Sequence, residues 1–261
     1  MSYDWHDQVS MERFSPAWFD AIDARFIQAA RLFATNRQPF DRIIPFDRLA
    51  GQRVLEIGCG MGLHTELMIR AGAKLTSIDL SDMSVEATNR RLTVKGLSAR
   101  VMQGDAEQLP FDDKSFDFVW SWGVIHHSSC TTRIVRQIGR VLTPEGSCRV
   151  MVYNRLATQV ALRMLRYHFL TGRFLHRTLE ETLYRTTDGF SARFYIPEHF
   201  EDLFRGFFAD VSSEILGQDS DALPLPRLLR NVGLKICSDA WLKRQQARHG
   251  SFIFLRAARP F

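Results

Sequence analysis

Cysteine is scarce in this sequence and is never paired at close spacing. The 261 residues contain four cysteines and no Cys-x-x-Cys pair. A disulfide-rich secreted domain needs a denser pattern, so the scattered cysteines indicate a reducing compartment and a cytoplasmic protein. The four are Cys59, Cys130, Cys148 and Cys237.

Long apolar runs and targeting signals are also missing. No segment approaches roughly eighteen uninterrupted apolar residues, the length that suggests a membrane-spanning helix. The first residues, MSYDWHDQVSMERF, are charged and lack an apolar run followed by a cleavage site. We see neither an internal repeat nor a low-complexity segment. We therefore expect no membrane span.

The charge balance is moderately basic. The chain has 34 Lys and Arg against 29 Asp and Glu, a net charge of +5 and a pI near 9.2, while 45% of its residues are apolar. Such a composition allows a substantial core and one large α/β domain with insertions. It permits a polyanionic partner without requiring one, and a basic soluble enzyme is the favoured interpretation.

The most informative stretch, RVLEIGCGMG at residues 53–62, is an apolar strand that runs into a glycine-spaced turn. Gly58, Gly60 and Gly62 let the backbone pass close to a ligand where a Cβ would clash, directly before a helix. Asp79 and Asp105 close the next two apolar strands. In an α/β sheet the first of these is placed to reach ribose hydroxyls.

Strands and helices alternate after residue 53, which predicts a parallel sheet covered on both faces. Ser15 and Pro16 begin an earlier helix with one apolar face. The predicted strands are 53–57, 74–79, 99–104, 116–121, 147–153, 209–216 and 251–258, and the main helices are 62–72, 82–95, 131–141 and one from about 197.

Four regions follow from this pattern. Residues 1–48 form an N-terminal helical lid segment, 49–154 the ligand-binding core, 155–196 a helical cap insertion, and 197–261 the rest of the core with a second insertion at about 217–249. The arginines of the insertions would neutralise an anionic acceptor or lie on solvated helix faces.

The ordered set VLEIGCGMG, SIDLS, GDAEQLPFDDKSFDFVWSWGVIHH and RVLTPEGSCRV resembles the class I S-adenosylmethionine-dependent methyltransferases. The similarity covers residues 50–153 and is greatest to the small-molecule group, which includes ubiquinone, menaquinone and natural-product methyltransferases. It implies a doubly wound, Rossmann-like α/β fold with a seven-stranded, mostly parallel sheet. The helical insertions would follow the fifth strand and precede the last.

The resemblance also implies roles for individual residues toward S-adenosylmethionine and its product S-adenosylhomocysteine. Glu56 would face the methionine ammonium, directly or through water, and Asp79 would hold the two ribose hydroxyls. Asp105 would accept from the adenine amino group. The other implied contacts are Gly58, Cys59, Gly60 and Gly62 along the amino-acid part and ribose, Leu80, Met83 and Ala106 around adenine, and Ser121 and Trp122 near the sulfonium.

His126 and His127 are the candidate catalytic residues, because histidine takes a proton near neutral pH. Packing against the sheet is the structural alternative for either of them, and their adjacency lacks the spacing of a zinc motif, so we expect no metal. Around Cys130 there is no Pro-Cys motif of cytosine-C5 methyltransferases. The Asn-Pro-Pro-Tyr type motif of nucleic-acid amine methyltransferases is missing too.

Three functions remain open on the sequence. We expect transfer to an oxygen or nitrogen of a small-molecule acceptor, with carbon or sulfur as alternatives, by a monomer or homodimer. Nucleic acid is disfavoured as a partner, although the basic insertions leave an RNA or protein methyltransferase as an alternative, beside a non-catalytic S-adenosylmethionine-binding subunit.

Several side chains have two interpretations at this stage. Tyr153 and Asn154 either face the acceptor or, for Asn154, cap the next helix. The aromatic N-terminus either folds over the cofactor as a lid or packs into the core. Its residues are Tyr3, Trp5, Phe14 and Trp18.

Overall fold

The computed structural model describes residues 11–35, 38–186 and 192–261. Within these ranges, eight strands form one sheet in the order β3-β2-β1-β4-β5-β8-β7, with the short β6 beside β5. The strands are β1 Arg53–Ile57, β2 Lys74–Asp79, β3 Arg100–Gln103, β4 Phe116–Trp122, β5 Leu142–Asn154, β6 Phe194–Tyr195, β7 Phe208–Leu216 and β8 Phe252–Pro260.

Helices lie on both faces of this sheet and in the two insertions. Those of the core are α1 Pro16–Ala29, α2 Leu63–Arg70, α3 Asp82–Val94, α4 Thr131–Val141 and α7 Pro197–Arg205. The insertions contain α5 Thr158–Met164, α6 Leu179–Thr186, α8 Asp219–Ala222, α9 Arg227–Ile236 and α10 Asp239–His249. Within the described ranges, no helix combines the length and apolarity that crossing a bilayer requires.

The predicted α/β fold with a mostly parallel sheet is confirmed. Strands β1 to β5 pair in parallel, and only β8 runs antiparallel, to both β5 and β7. The strand that the sequence did not predict is β6, which pairs in parallel with the end of β5. Two residues are too few to show an alternating pattern in the sequence, so this eighth strand is recognised only by its pairing with β5.

One predicted boundary differs clearly from the structure. Strand β5 begins at Leu142, five residues before the predicted start at Ser147. The intervening TPEG carries proline and glycine, which favour a turn. The ladder with β4 shifts register between Phe116 and Phe118, so the early part of β5 joins the sheet through an irregularity.

Two apolar clusters fill the two faces of the sheet. On β1, Leu55 and Ile57 belong to one cluster and Val54 to the other. On β4, Val119 and Trp120 divide in the same way. Successive side chains of a strand point to opposite faces, and burial of both sets is expected for parallel strands between helix layers.

Helix α1 begins as predicted and is held against the glycine turn. The Ser15 hydroxyl accepts from the Trp18 backbone N–H at 3.2 Å, which caps the helix. The buried Arg91 of α3 donates to the carbonyl of Met61 at 2.6 Å and pairs with Asp23 of α1 at 2.6 Å. Arg91 therefore connects the N-terminal helix to the glycine turn.

Candidate functional site

A cavity of about 790 Å³ opens at the carboxyl ends of the parallel strands. Its lining includes Gly58 after β1, Asp79 at the end of β2, Asp105 after β3 and Trp122 at the end of β4. Sites for small molecules span about 300–1,000 Å³, and in open α/β sheets they lie at this edge. The fold thus brings together residues that are far apart along the chain.

The glycine turn forms one wall of the cavity. Gly58, Gly60 and Gly62 all have positive φ angles, of 85°, 54° and 79°. A Cβ on Gly58 would overlap the side chain of Val124, so alanine does not fit there. Gly58 and Gly60 line the cavity, and Gly62 precedes the first residue of α2.

Asp79 is held by the glycine turn and by its own chain. Its Oδ2 accepts from the Gly60 N–H at 3.0 Å, and its Oδ1 accepts from the Ser81 N–H at 3.0 Å. Burial raises the pKa of the carboxyl, and these N–H donors oppose that rise. Each carboxylate oxygen retains acceptor capacity toward the cavity, which suits a vicinal diol.

Glu56 lies behind the wall and not among the cavity-lining residues. It is buried, and its Oε2 accepts from the hydroxyls of Thr65 at 2.5 Å and Ser77 at 2.8 Å. Burial raises the pKa of Glu56 to about 7, the two hydroxyls lower it in part, and the charge of Asp79 raises it further. A cation placed near this carboxyl would favour its ionised form.

Glu56→Gln is expected to flatten the pH dependence of stability. The pKa of Glu56 in the folded protein lies above its ordinary value of 4.5. The stabilisation from this residue is therefore fully present below about pH 4.5 and is lost as the pH rises through about 7. The loss amounts to about 3 kcal/mol of unfolding free energy. Unfolding free energies from urea titrations between pH 4.5 and 8 measure this loss in the parent protein and its absence in the variant.

The exposed Glu198 offers the control for that experiment. Glu198→Gln removes a carboxyl that is accessible to water, and it should follow the parent protein at every pH. Equal pH slopes for the parent protein and Glu56→Gln would contradict the assignment of a desolvated carboxyl at Glu56.

Asp105 has a structural role as well as a place in the cavity wall. Its Oδ1 accepts from the Glu107 N–H at 2.8 Å and caps the short 3₁₀ turn Ala106–Gln108. Asp105 thus serves as a turn residue in the structure, and its contact with adenine stays a prediction. Ala106 lines the cavity beside it.

Glu107, which the sequence did not single out, fastens the loop after β4. It accepts from the hydroxyls of Ser128 at 2.6 Å and Ser129 at 2.9 Å and from the Cys130 N–H at 3.1 Å. These donors and the charge of Arg133 hold the pKa of Glu107 at about 2. The loop that carries the two histidines is thus fixed by a carboxylate from the segment after β3.

The two histidines differ sharply in environment. His127 lines the cavity, whereas His126 is fully buried, and among the described residues neither of its ring nitrogens finds a hydrogen-bond partner. Burial lowers the pKa of His126 well below the ordinary range, with a further contribution from His127. The ring of Tyr153, itself a cavity residue, lies 4.2 Å from that of His126 between centroids.

The other sequence-predicted site residues separate into two groups. Leu80 and Trp122 line the cavity, although Leu80 is largely exposed and Trp122 is buried. Four do not line it: Cys59 and Ser121 are buried, Gly62 supports the turn, and Met83 lies exposed on α3. Their contacts with a cofactor stay predictions.

Several cavity residues were not predicted as site residues. Phe26 and Phe33 from the N-terminal region form part of the wall, together with Met151 and Phe252 from β5 and β8. Phe26 and Phe33 lie on the apolar face that the sequence did reveal. Helical spacing alone cannot distinguish a face that packs on a core from one that borders a cavity.

The described residues cover only part of the N-terminal segment 1–48 that was predicted to form a lid. Tyr3 and Trp5 lie outside the described residues, while Phe14 and Trp18 pack around Phe19 and Met61 instead of lining the cavity. The aromatic contribution of this region to the cavity comes from its later residues.

The insertions contribute little to the cavity wall. Among the described residues from 155 to 249, only Gln218 lines it. Asn154 acts locally, since its side chain donates to the Gly250 carbonyl at 2.8 Å and accepts from the Leu156 N–H at 3.0 Å. An acceptor cap built from these insertions stays a prediction. Across the described part of the chain, no cluster of metal-ligating side chains is found.

Comparison with known proteins agrees with this geometry. Residues 55–150 match the family model of a methyltransferase domain. The chain is 39% identical over 100 residues to the 27-O-demethylrifamycin SV methyltransferase of Amycolatopsis mediterranei, covering 37% of each protein. It is 31% identical to a ubiquinone biosynthesis O-methyltransferase of Xanthomonas oryzae, over 60% of this chain and 66% of that protein.

A solved structure extends the similarity to the full length of the fold. An S-adenosylmethionine-dependent methyltransferase from Thermotoga maritima superposes with a TM-score of 0.55 at 19% identity, covering 98% of this chain and 99% of that one. The chain spans roughly half the length of several curated relatives that it matches. With the glycine turn, the strand-end carboxylates and the matched segment in place, residues 55–150 form a methyltransferase domain of the class I S-adenosylmethionine-dependent type.

Proposed function

We propose that the protein transfers a methyl group from S-adenosylmethionine to an oxygen atom of a small, largely apolar acceptor. The observation that carries this proposal is a single cavity bordered both by the glycine turn with Asp79 and by an aromatic wall with His127. Oxygen is favoured because the curated relatives are named as O-methyltransferases. Nitrogen, carbon and sulfur acceptors are the alternatives.

The glycine turn and the carboxylates beside it fit the methyl donor. The turn at Gly58 and Gly60 lets a ligand approach the backbone closely, and Asp79 offers acceptor oxygens to ribose hydroxyls. Glu56 provides a carboxyl that a neighbouring ammonium would ionise. When bound, S-adenosylmethionine supplies a methyl group that its positively charged sulfonium has already activated.

The aromatic wall of the cavity fits an apolar acceptor. Phe26, Phe33, Met151, Tyr153 and Phe252 present aromatic and thioether surface to the same cavity. These side chains would hold a ring or hydrocarbon chain and exclude water from it. Orientation within a closed site can contribute about 7 to 11 kcal/mol to a bimolecular transfer, so placement is the main task of this wall.

His127 is the residue that we propose as the general base. It lines the cavity, whereas burial keeps His126 neutral and outside the lining. The proton of an acceptor hydroxyl would pass to an imidazole nitrogen of His127 as the methyl group is transferred. His126 and Tyr153 pack against one another and support the position of this loop.

The donor assignment is tested by calorimetry with S-adenosylmethionine. We expect the protein to bind it, and Asp79→Asn to weaken binding by about 10- to 100-fold, because hydrogen bonds to a charged acceptor contribute about 1.5–3 kcal/mol. Asp113→Asn, at an exposed ion pair with Arg140, is the matched control and should bind as the parent protein does.

Absence of binding by the parent protein would overturn the proposal. Transfer of a labelled methyl group to a panel of phenols and catechols then tests the acceptor class. Labelling of added tRNA or protein in place of these compounds would identify a macromolecular methyltransferase, and binding with no labelled acceptor in a cell extract would point to a cofactor-binding subunit.

A further inference from the structure

Two surface segments carry most of the exposed large apolar side chains. Thirteen of the 19 such side chains in the described part of the chain lie in residues 155–179 and 225–236. The first segment contributes Leu156, Leu162, Leu165, Phe169, Leu170, Phe174, Leu175 and Leu179, and the second contributes Leu225, Leu228, Leu229, Val232 and Ile236. Isolated exposed leucines are ordinary on a protein surface, but a concentration of this kind indicates an interaction site.

Helix α9 shows this arrangement clearly. Leu228, Leu229, Val232 and Ile236 share one face by their spacing, and all are exposed. Leu234 points the other way and packs against the cluster around Leu32 and Leu242. The apolar stripe of a surface helix normally faces the core. Helix α9 instead contacts the rest of the protein through the face that carries Leu234 and presents its apolar stripe outward.

The charge of the two segments is entirely of one sign. Residues 155–179 contain five arginines, and residues 225–236 contain Arg227, Arg230 and Lys235, while neither segment contains Asp or Glu. Since the whole chain carries +5, the remainder of the chain has a net charge of −3. The basic character of the protein is therefore concentrated where its apolar side chains are exposed.

Both segments lie at the cavity edge of the sheet. They follow β5 and β7, which both pair antiparallel with β8 and therefore end at the same edge. Gln159 of α5 donates to the carbonyl of Ser220 in α8 at 2.6 Å, which joins the two insertions directly. Gln218, two residues before that carbonyl, lines the cavity.

We propose that these two segments form a surface that docks on a lipid bilayer containing anionic headgroups. Outward leucine and phenylalanine side chains enter the boundary between headgroups and acyl chains, and the arginines pair with lipid phosphates. Arg155 and Arg177 pair with Glu180 and Glu181, just beyond the first segment, at 3.0 and 3.9 Å. The two segments still keep a net positive charge, so a symmetric dimer through the same face would oppose like charge to like charge. The bilayer supplies the opposite charge and also a reservoir from which an apolar acceptor reaches the cavity.

The experiment is flotation of the purified protein with vesicles of phosphatidylcholine alone or mixed equally with phosphatidylglycerol. The parent protein should float with the mixed vesicles, and a smaller fraction should float with phosphatidylcholine alone. The bound fraction should also be smaller at about 300 mM than at about 50 mM salt, because salt screens surface charges. Methyl transfer is not required, so the result is independent of the proposed function.

Variants locate the surface. Leu228→Asp with Ile236→Asp should reduce the bound fraction at least about tenfold, and Leu170→Asp with Leu175→Asp should do so independently. Arg230→Gln with Lys235→Gln should weaken binding to the mixed vesicles about fivefold for each charge removed. Leu228 and Ile236 are 82% and 80% exposed, and Phe261, at 85%, is a matched control whose change to Asp should have no effect.

Three outcomes would overturn the proposal. The parent protein could fail to float with the mixed vesicles, or both Asp pairs could float as the parent protein does. Light scattering could instead show a dimer that the Leu228→Asp and Ile236→Asp changes dissociate, with no vesicle binding. Circular dichroism and S-adenosylmethionine affinity of each variant would report that folding and the cavity are intact.

Discussion

Replacing Gly58 with alanine is expected to destabilise the protein by about 2 to 5 kcal/mol and to abolish S-adenosylmethionine binding. Gly58 has a φ of 85°, and an added Cβ would overlap Val124. Val124 belongs to the loop that carries the histidines, so relief of the overlap must displace either that loop or the glycine turn. Urea unfolding and calorimetry measure the two effects.

Gly51 and Gly96 provide controls that separate backbone strain from overlap. Their φ angles are 76° and 63°, and a Cβ on either would meet no atom within 4 Å. Each change to alanine should therefore cost about 1 to 2 kcal/mol from the left-handed backbone alone and leave cofactor affinity unchanged. If Gly58→Ala cost no more than these controls and still bound the cofactor, the close contact between turn and loop would be refuted.

Replacing His127 with asparagine is expected to lower kcat by about 10²- to 10⁴-fold on a phenolic acceptor, the usual range for a positioned base. The affinity for S-adenosylmethionine should change little, because the donor contacts that we propose lie on the glycine turn and Asp79. The kcat of the parent protein should depend on pH through proton transfer to the base, and the variant should lose that dependence.

His199 is the matched control for this change, since it is exposed on α7 and does not line the cavity. His199→Asn should retain the parent rate and pH profile. Retention of both by His127→Asn would show that orientation alone carries the transfer, and the aromatic wall would then be the main determinant of catalysis.

The donor side of the site follows closely from the sequence. A glycine-spaced turn between strand and helix has few structural solutions, because only glycine adopts the required φ angles without strain. Acidic residues that end successive parallel strands must meet at one sheet edge, whatever the details of packing. This is why Gly58, Gly60, Asp79 and Asp105 border the same cavity.

The acceptor side could not be predicted in the same way. His126 and His127 are neighbours in the sequence, and only the packing of the loop against Tyr153 and Glu107 decides which one is buried. Phe26 and Phe33 follow the apolar spacing of the N-terminal segment, and that spacing does not distinguish packing on the core from bordering a cavity. Their position at the cavity depends on the docking of α1, which Arg91 fastens from a distant helix.

Glu56 illustrates the same division within one residue. Its place at the end of an apolar strand is evident from the sequence, but its burial, its two hydroxyl donors and its raised pKa are products of tertiary contacts with Thr65 and Ser77. Electrostatic environment depends on the surrounding atoms in three dimensions, which local spacing does not encode.

The sequence by itself determined the α/β fold class, the succession of core strands and helices along the chain and the glycine-spaced turn, because these depend on local periodicity and backbone conformation. Tertiary structure alone decided which histidine reaches the cavity, which aromatic side chains form its wall, and that α9 turns its apolar stripe outward. Those features arise from contacts between residues far apart in the chain, which local spacing does not encode.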